Sequence, residues 1–133
     1  MNTLNLSVEH FGLPARDPAA LAQWYERVLG AQRVWQSDTT PPALFVKLPG
    51  LMLEIYASDR ALADTSDNKL AGFRHLALRV ESLDAAREEL TKRGVQFTET
   101  VKPAGGGGRI LFFSDAEGNL LHLVERTKDS VFL

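Results

Sequence analysis

Residues 109–125 read RILFFSDAEGNLLHLVE, two apolar runs separated by a cluster of turn-forming residues. The first run has the β-preferring centre Ile-Leu-Phe-Phe, residues from Asp115 to Asn119 favour a tight turn, and an apolar run resumes at Leu120. The pattern predicts a β-hairpin. Its second strand places His122 among aliphatic neighbours, where burial of an imidazole costs free energy unless a partner or a metal satisfies it. Such a partner would have to come from elsewhere in the chain or be a metal.

Composition limits the classes of function. The chain has 133 residues, of which 44% are apolar, enough to supply the core of one domain. Its 15 Lys and Arg balance 17 Asp and Glu without a dense basic cluster, so the sequence favours a small-molecule or protein partner over nucleic acid or a membrane surface. No signal-like or membrane-spanning apolar run is present, and a cytoplasmic location is expected. With no cysteine, only His, Asp and Glu remain as strong metal ligands.

The first half of the chain predicts one strand, one helix and three strands. Asp17 can cap the helix, Pro18 suits its first position, and Gly30 can end it. The helix carries apolar residues at helical spacing, which predicts an amphipathic crossover. The four strands are predicted at residues 4–13, 31–36, 43–48 and 51–57.

The second half predicts the same order of elements. After a polar linker at residues 58–72, a strand is expected over residues 73–80, and then a helix that Ser82 or Asp84 caps. This helix should end at Arg93 and Gly94. A strand over residues 95–101, a flexible glycine-rich segment over 103–108, the hairpin and a tail at 127–133 complete the chain. The predicted boundaries are therefore a first module at 4–57 and a second module at 73–126, within a single domain of residues 1–133.

Matched residues show that the two halves form a repeat. His10 and His75 lie 65 residues apart in mid first strand, and Glu54 and His122 lie 68 residues apart in the last strand of each half. All three histidines of the chain, and one carboxylate in an otherwise apolar strand, thus occupy two repeat-equivalent positions. Taken singly, each histidine has the ordinary explanation of a hydrogen-bonded core residue, and Glu54 that of an ion-pair partner. Taken together, the four residues predict a shared metal site that only the fold can assemble.

The motifs around these residues resemble those of the vicinal oxygen chelate superfamily, which includes glyoxalase I, fosfomycin and bleomycin resistance proteins and extradiol dioxygenases. The resemblance covers about residues 6–126 and rests on EHFGL with His10, LMLEIY with Glu54, FRHLAL with His75, and FFSDAEGNLLHLVE with His122. It implies an α+β fold in which two paired βαβββ modules form a half-open, barrel-like sheet around a divalent metal. The arrangement of the four ligands is most similar to that of glyoxalase I.

Two departures from the glyoxalase I pattern are visible. The usual turn Asp-Pro-Asp-Gly-Asn is Asp-Ala-Glu-Gly-Asn here, and His122 stands where glyoxalase I usually has a glutamate. Three neutral imidazoles and one carboxylate leave a net charge of +1 on a divalent site, which favours anionic oxygen chelates. The resemblance also implies that Glu54 is the one ligand able to shuttle a proton. Imidazole and carboxylate ligands suit Zn, Ni, Co, Mn or Fe(II), and the sequence does not choose among these metals.

Further residues are expected near the substrate. Met52, Tyr56 and Phe73 are predicted pocket residues on the ligand faces, and Arg109 is a candidate partner for an anionic group, although packing and a solvated surface arginine are the ordinary roles of such residues. Val8, Leu120 and Val124 are further candidates for the pocket, and Arg74 is a second candidate for the anionic group. The glycine run at residues 105–108 lacks the Lys-Ser/Thr and the following helix of a phosphate loop and is interpreted as a flap.

Three functions remain open at this point. The resemblance favours a metal-dependent lyase or isomerase of glyoxalase type that moves a proton next to a metal-bound carbonyl. An extradiol-type dioxygenase and a non-catalytic binder of the drug-resistance type are the alternatives. Superfamily members with two modules usually pair them across a dimer interface, so a homodimer is expected.

Overall fold

The computed structural model describes residues 4–60, 65–130 and 132 of the chain. The chain forms two compact units, Met1–Ala61 and Leu62–Leu133, and each is described by itself below. The boundary falls within the predicted linker. Parts of that linker (61–64), of the N-terminus (1–3) and of the predicted tail (131 and 133) lie outside the described residues.

The first unit contains one helix and a four-stranded sheet. Its elements in chain order are β1 (Phe11–Ala15), α1 (Pro18–Leu29), β2 (Gln32–Gln36), β3 (Leu44–Leu48) and β4 (Leu51–Ala57). The sheet has the order β1-β4-β3-β2, with β1 parallel to β4 and the other neighbours antiparallel. A parallel pair needs a long crossover, which explains why α1 follows β1 directly.

The ends of α1 are those that the sequence predicts. The Asp17 side chain accepts a hydrogen bond from the Ala20 N–H at 3.1 Å, Pro18 occupies the first turn, and Gly30 ends the helix with a φ of 74°. The apolar side of the helix is buried against the sheet. The core of this unit consists of Leu21, Ala22, Tyr25, Val28, Leu44, Val46, Leu53 and Ile55.

The second unit repeats this architecture. Its elements are β5 (His75–Arg79), α2 (Leu83–Lys92), β6 (Lys102–Pro103), β7 (Arg109–Ser114) and β8 (Leu120–Glu125). The sheet order is β5-β8-β7-β6, with β5 parallel to β8, so each strand matches its counterpart in the first unit. Ser82 caps α2 by accepting from the Ala85 N–H at 3.1 Å. The predicted α+β fold of two βαβββ modules is confirmed.

The turn between β7 and β8 is organised by one buried carboxylate. Asp115 accepts hydrogen bonds from the N–H groups of Glu117 (2.9 Å) and Asn119 (3.0 Å) and from the Asn119 side-chain amide (2.9 Å). Gly118 has a φ of 84°, a conformation that favours glycine. These contacts fix the register of the hairpin, which confirms the turn predicted from the sequence.

Two predicted strand boundaries are wrong at their N-terminal ends. Strand pairing begins at Phe11 and at His75, so His10 immediately precedes β1 instead of lying in mid-strand. Residues 5–10 have no assigned secondary structure. The alternating sequence is compatible with a strand, but a strand also requires a neighbouring backbone to bond to, and sequence alternation does not supply one.

The strand predicted over residues 95–101 is also wrong. The Val95 N–H bonds to the Leu90 carbonyl at 3.0 Å and so extends the end of α2, and Phe97 packs its ring 5.4 Å from that of Phe113. The edge strand begins only at Lys102, opposite Ile110, and has two residues. The apolar residues that suggested a strand therefore pack onto the sheet, but their backbone does not join its hydrogen-bond ladder.

Each sheet has a face covered by its helix and a second face that carries the candidate site. Alternation along the strands puts Leu111, Phe113, Leu121 and Leu123 on the buried helix side, and His122 on the other. In the first unit the same alternation separates Leu53 and Ile55 from Glu54. Within the described residues, no helix is both long and apolar enough to cross a bilayer.

Candidate metal centre

In the first unit the strand register brings His10 and Glu54 to the same face. Gly12 of β1 is the register partner of Glu54 in the parallel pair, and Phe45 of β3 is its partner in the antiparallel pair. Residues aligned in register project to the same face of a sheet, and His10 precedes Gly12 by two residues. His10, Gly12, Glu54 and Phe45 therefore share the face that the helix leaves uncovered.

The second unit has the same arrangement with a histidine in place of the carboxylate. Ala77 lies beside His122, Phe112 lies opposite it, and His75 precedes Ala77 by two residues. The repeat inferred from the sequence thus holds at the level of backbone register. Each unit brings together two of the four predicted ligands.

The first pair has a geometry compatible with one shared ion. The His10 Nε2 lies 3.5 Å from the Glu54 Oε1. Two ligands at about 2.1 Å from an ion stand about 3.0–3.4 Å apart for ordinary coordination angles. The other ring nitrogen, Nδ1, lies 2.9 Å from the Glu9 Oε1. With an ion at Nε2, the Nδ1–H would donate to this carboxylate.

The second pair consists of two imidazoles whose ring centroids are 4.7 Å apart. The His75 Nδ1 lies 2.8 Å from the Asn68 Oδ1, and the His122 Nδ1 lies 3.2 Å from the Leu123 carbonyl oxygen. Both oxygen acceptors favour a proton on Nδ1 and a lone pair on Nε2. All three histidines therefore share one feature, because an oxygen acceptor engages Nδ1 and leaves Nε2 as the donor atom for a metal.

Burial keeps His122 in the form that binds metals. Desolvation is the main cause that lowers the pKa of His122 below its ordinary value, the Leu123 carbonyl opposes this shift, and the charges of His75 and Arg126 reinforce it. The residue is only 6% exposed. A neutral imidazole is the ligating form, so this environment suits a metal ligand at neutral pH.

The donor atoms fit a divalent metal, but each unit alone supplies too few. Three imidazole nitrogens and one carboxylate are a set that zinc and other divalent transition metals accept. Across the described residues, no group of three or more His, Asp or Glu side chains stands close enough to hold an ion. Since protein metal sites ordinarily use three or four protein ligands, neither pair by itself forms a complete site.

Sequence reasoning missed two aromatic residues of this face. The Phe45 ring meets the His10 ring edge-on at 5.2 Å, and the Phe112 ring meets His75 at 5.8 Å and His122 at 4.9 Å. Such edge contacts restrict the orientation of an imidazole. Phe45 and Phe112 are 67 residues apart, close to the repeat offsets of the ligands, and this spacing is the signal that could have identified them.

The predicted pocket residues of the first unit lie on the same sheet face as Glu54, the face that the helix leaves uncovered. Met52 and Tyr56 flank Glu54 at alternate positions of β4. The Tyr56 ring covers Gly12, where an added Cβ would lie 3.4 Å from ring atoms and the hydroxyl. A cleft of about 270 Å³ continues this face and is lined by Val8, Glu9, Lys47, Gly50, Leu51 and Met52.

The predicted pocket residues of the second unit differ in exposure. Phe73 is 89% exposed, whereas Val124 is buried and Leu120 is half-buried, both on the His122 side of β8. The Nε and Nη1 of Arg74 are buried without a hydrogen-bond partner among the described residues.

Arg109 does not lie on the ligand face. It pairs in register with Glu125, three residues from His122 and thus on the helix side of the sheet. Its Nη2 contacts both Glu125 carboxylate oxygens at 3.1 and 3.2 Å, and Asp84 at 3.6 Å. Glu125 in turn accepts from the Leu83 N–H at 2.7 Å, at the start of α2. These contacts give Arg109 a structural role, and the predicted role in substrate binding has no support in this unit.

Solved structures with the same fold include several proteins of similar length. A glyoxalase family protein from Enterococcus faecalis is 28% identical, with a TM-score of 0.76, and the match covers 90% of this chain and 97% of that one. A glyoxylase/bleomycin resistance protein/dioxygenase domain from Frankia sp. EAN1pec is also 28% identical, with a TM-score of 0.71 and coverage of 92% and 98%. No curated protein matches the chain.

A more distant similarity is to the fosfomycin resistance protein FosX from Listeria monocytogenes. That protein, solved with Mn(II) and 1S,2S-dihydroxypropylphosphonic acid, is 19% identical, with a TM-score of 0.68 and coverage of 95% of this chain and 94% of that one. At this identity the similarity shows the fold alone.

The repeated βαβββ unit, with two predicted ligands on the sheet face that its helix leaves uncovered, defines the structural class of the protein. A sequence model of the Glyoxalase/Bleomycin resistance protein/Dioxygenase superfamily matches residues 7–123, and the chain belongs to this superfamily. The resemblance recognised from the motifs around His10, Glu54, His75 and His122 is therefore confirmed.

Proposed function

We propose that the protein is a divalent-metal-dependent lyase or isomerase of glyoxalase type, which moves a proton next to a carbonyl of a small oxygen-chelating substrate. The observation that carries this proposal is the position of Glu54. Its carboxylate lies 3.5 Å from the His10 Nε2, on the uncovered face of the sheet, in an otherwise apolar strand. A carboxylate so placed can both hold a metal and exchange a proton with a ligand beside it.

His10, Glu54, His75 and His122 would together hold one ion in this proposal. When bound, a divalent ion would polarise a substrate oxygen and so acidify the adjacent C–H group. Four protein ligands on a six-coordinate ion leave two positions, which suits a bidentate substrate. Zn, Ni, Co, Mn and Fe(II) all accept these donor atoms.

Glu54 is the residue of this chain that we assign to proton transfer. It is the only carboxylate among the four ligands, and an imidazole whose Nε2 binds a metal and whose Nδ1 donates to an oxygen has no free lone pair for a proton. Glu54 would remove the proton from one carbon of the substrate and return it to the neighbouring one. Phe45, Met52 and Tyr56 surround the carboxylate and would limit access of water to it.

Relatives support the class of activity in general terms. The Enterococcus faecalis structure that is 28% identical is described as a glyoxalase family protein. FosX holds Mn(II) in its structure, although only the fold is shared with this chain. We also infer a cytoplasmic homodimer, in which modules pair either within a chain or across the dimer to complete the ligand set.

Metal analysis combined with an activity assay tests the proposal. Protein purified without chelators should contain about one equivalent of divalent metal per chain. Loaded in turn with zinc, nickel, cobalt and manganese, it should form lactoylglutathione from methylglyoxal and glutathione with at least one metal. Metal without activity would remove this substrate from the proposal.

The same measurements separate the two alternatives. Iron together with oxygen consumption on a catechol would favour the dioxygenase, whose specific support is the histidine-rich donor set. Protein that binds no metal under any condition, but binds a small ligand, would favour the non-catalytic binder.

A further inference from the structure

We propose that Asn68 is a positioning residue that holds His75 in the Nδ1–H tautomer and thereby directs the Nε2 lone pair of His75 away from the linker. The Asn68 Oδ1 lies 2.8 Å from the His75 Nδ1. An amide oxygen is only an acceptor, so the ring nitrogen that it contacts must carry the proton. The inference builds on the proposed metal site, since the Nε2 so exposed is the atom that would bind the ion.

The need for such a residue follows from the chemistry of a free imidazole. In water the neutral ring favours the Nε2–H tautomer, in which Nε2 has no lone pair for a metal. His75 is exposed at the start of β5, so burial does not select the other tautomer. A specific acceptor at Nδ1 therefore favours the tautomer in which Nε2 is the donor atom.

The linker that carries Asn68 is attached to the turn before β8. The Thr65 hydroxyl donates to the Gly118 carbonyl at 3.0 Å, and the Lys69 N–H donates to the Asp67 side chain at 2.9 Å. The first contact fixes the linker to the turn that leads into the strand of His122. The second orders the backbone on either side of Asn68. The amide is thus held by the same unit that holds both second-unit ligands.

The other two histidines show that this arrangement is systematic. Glu9 engages the Nδ1 of His10 at 2.9 Å, and the Leu123 carbonyl engages the Nδ1 of His122 at 3.2 Å. Three different acceptors, a carboxylate, a backbone carbonyl and an amide, thus favour the same tautomer at all three histidines of the chain. For His75 the acceptor comes from seven residues upstream, in a segment that the sequence indicated only as a linker.

The tautomer can be measured directly in metal-free protein. Long-range ¹H–¹⁵N correlation spectra of histidine-labelled protein, recorded with a chelator at about pH 8.5, two units above the ordinary pKa of imidazole, distinguish the two tautomers. Wild type should show His75 as Nδ1–H. Asn68→Ala should shift His75 to mainly Nε2–H, while His122, fixed by a backbone carbonyl, keeps its signals.

Two matched variants complete the test. Asn68→Asp retains an acceptor oxygen and should keep the His75 Nδ1–H tautomer. Asp67→Asn changes the neighbouring side chain but keeps an acceptor oxygen for the Lys69 N–H, so it should leave the tautomer unchanged. In competition titrations with zinc, Asn68→Ala should bind about 10- to 100-fold more weakly than wild type, the usual cost of losing such an outer partner. Asn68→Asp should restore most of this affinity.

The outcomes separate this inference from the metal proposal. An unchanged His75 tautomer in Asn68→Ala, or parallel changes at His122, would overturn the role of Asn68. A tautomer change confined to His75 in a protein that binds no metal would support the role of Asn68 and contradict the proposed function.

Discussion

Glu54 and His122 occupy the same position in the two sheets of the protein. Each lies on the last strand of its unit, between a small residue of the parallel neighbour (Gly12 or Ala77) and a phenylalanine of the antiparallel one. Glu54 carries a carboxylate and His122 an imidazole, although the strand register places the two residues equivalently. The register therefore predicts equal roles in metal binding, and the side chains predict different roles in proton transfer.

Replacement of any ligand should lower metal content. His10→Ala, Glu54→Ala, His75→Ala and His122→Ala each remove one donor atom, and we expect at least a tenfold loss of metal affinity with the fold retained. Metal analysis after dialysis and circular dichroism measure the two effects. If all four variants keep one equivalent of metal as tightly as wild type, the ligand assignment is wrong.

Glu54→Gln should separate metal binding from proton transfer. Gln retains one ligating oxygen but cannot accept a proton, so turnover should fall by about 10²–10⁴-fold while some metal remains bound. The measurement is lactoylglutathione formation by the metal-loaded variant. Turnover at the wild-type rate would show that Glu54 is not the base.

His122→Glu should be the milder change at the equivalent position. It introduces the carboxylate that glyoxalase I usually has, lowers the charge of the ligand set with a divalent ion from +1 to zero, and adds a second possible base. We expect metal binding to survive and glyoxalase activity to rise. The same assay checks this expectation, with His122→Ala as the control that removes the ligand altogether.

Glu125 should stabilise the second unit more at neutral pH than at acidic pH. The Leu83 N–H, and then the Arg109 guanidinium, lower the pKa of Glu125 below its ordinary value. A carboxylate with a depressed folded-state pKa contributes stability that is present above its unfolded value, about 4.3, and is lost as pH falls through the lower folded value. Glu125→Gln should therefore melt at a lower temperature than wild type at pH 7, and the difference should shrink below about pH 4.

A surface carboxylate provides the control for that comparison. Glu88 lies 3.8 Å from Lys92 on the exposed side of α2, where such pairs contribute little. Glu88→Gln should melt close to wild type at both pH values. Equal melting curves for wild type and Glu125→Gln across the range would contradict the role of Glu125.

The glycine run should tolerate substitution at one end only. Gly108 has a φ of 107°, and an added Cβ would lie 1.9 Å from the Glu125 carbonyl oxygen, whereas a Cβ at Gly105 would meet nothing within 4 Å. Gly108→Ala should cost at least about 1–3 kcal/mol, and Gly105→Ala should stay within about 0.5 kcal/mol. Urea unfolding of the two variants measures the difference, and similar midpoints would contradict the described turn.

Sedimentation should show a homodimer, as expected if modules pair across a dimer interface to complete the ligand set. Dilution should release metal together with the second subunit. A monomer that still binds metal would exclude this version and require the two modules of one chain to pair with each other.

The sequence by itself determined the repeat, the class of fold and the superfamily. Helix caps, turn residues and apolar alternation are local signals, so Asp17, Gly30 and the turn at Asp115 could be read directly. The positions of His10, Glu54, His75 and His122 followed from comparing the two halves. The caps, the turn and the class of fold were predicted correctly because each depends on residues close in sequence or on the repeat itself, whereas the role of the four residues as metal ligands stays a prediction.

Only the tertiary structure decided which strands pair and what each side chain contacts. It replaced the strand expected over residues 95–101 with a two-residue edge strand at Lys102–Pro103. It also paired Arg109 with Glu125, and revealed Phe45 beside His10 and Asn68 beside His75. Each of these outcomes depends on a partner that is remote along the chain or on the face to which a side chain points. The strand register and the path of the loops determine the contact partner and the face of each side chain. Register and loop path depend in turn on the free energy of packing the whole unit more than on the preference of a single segment.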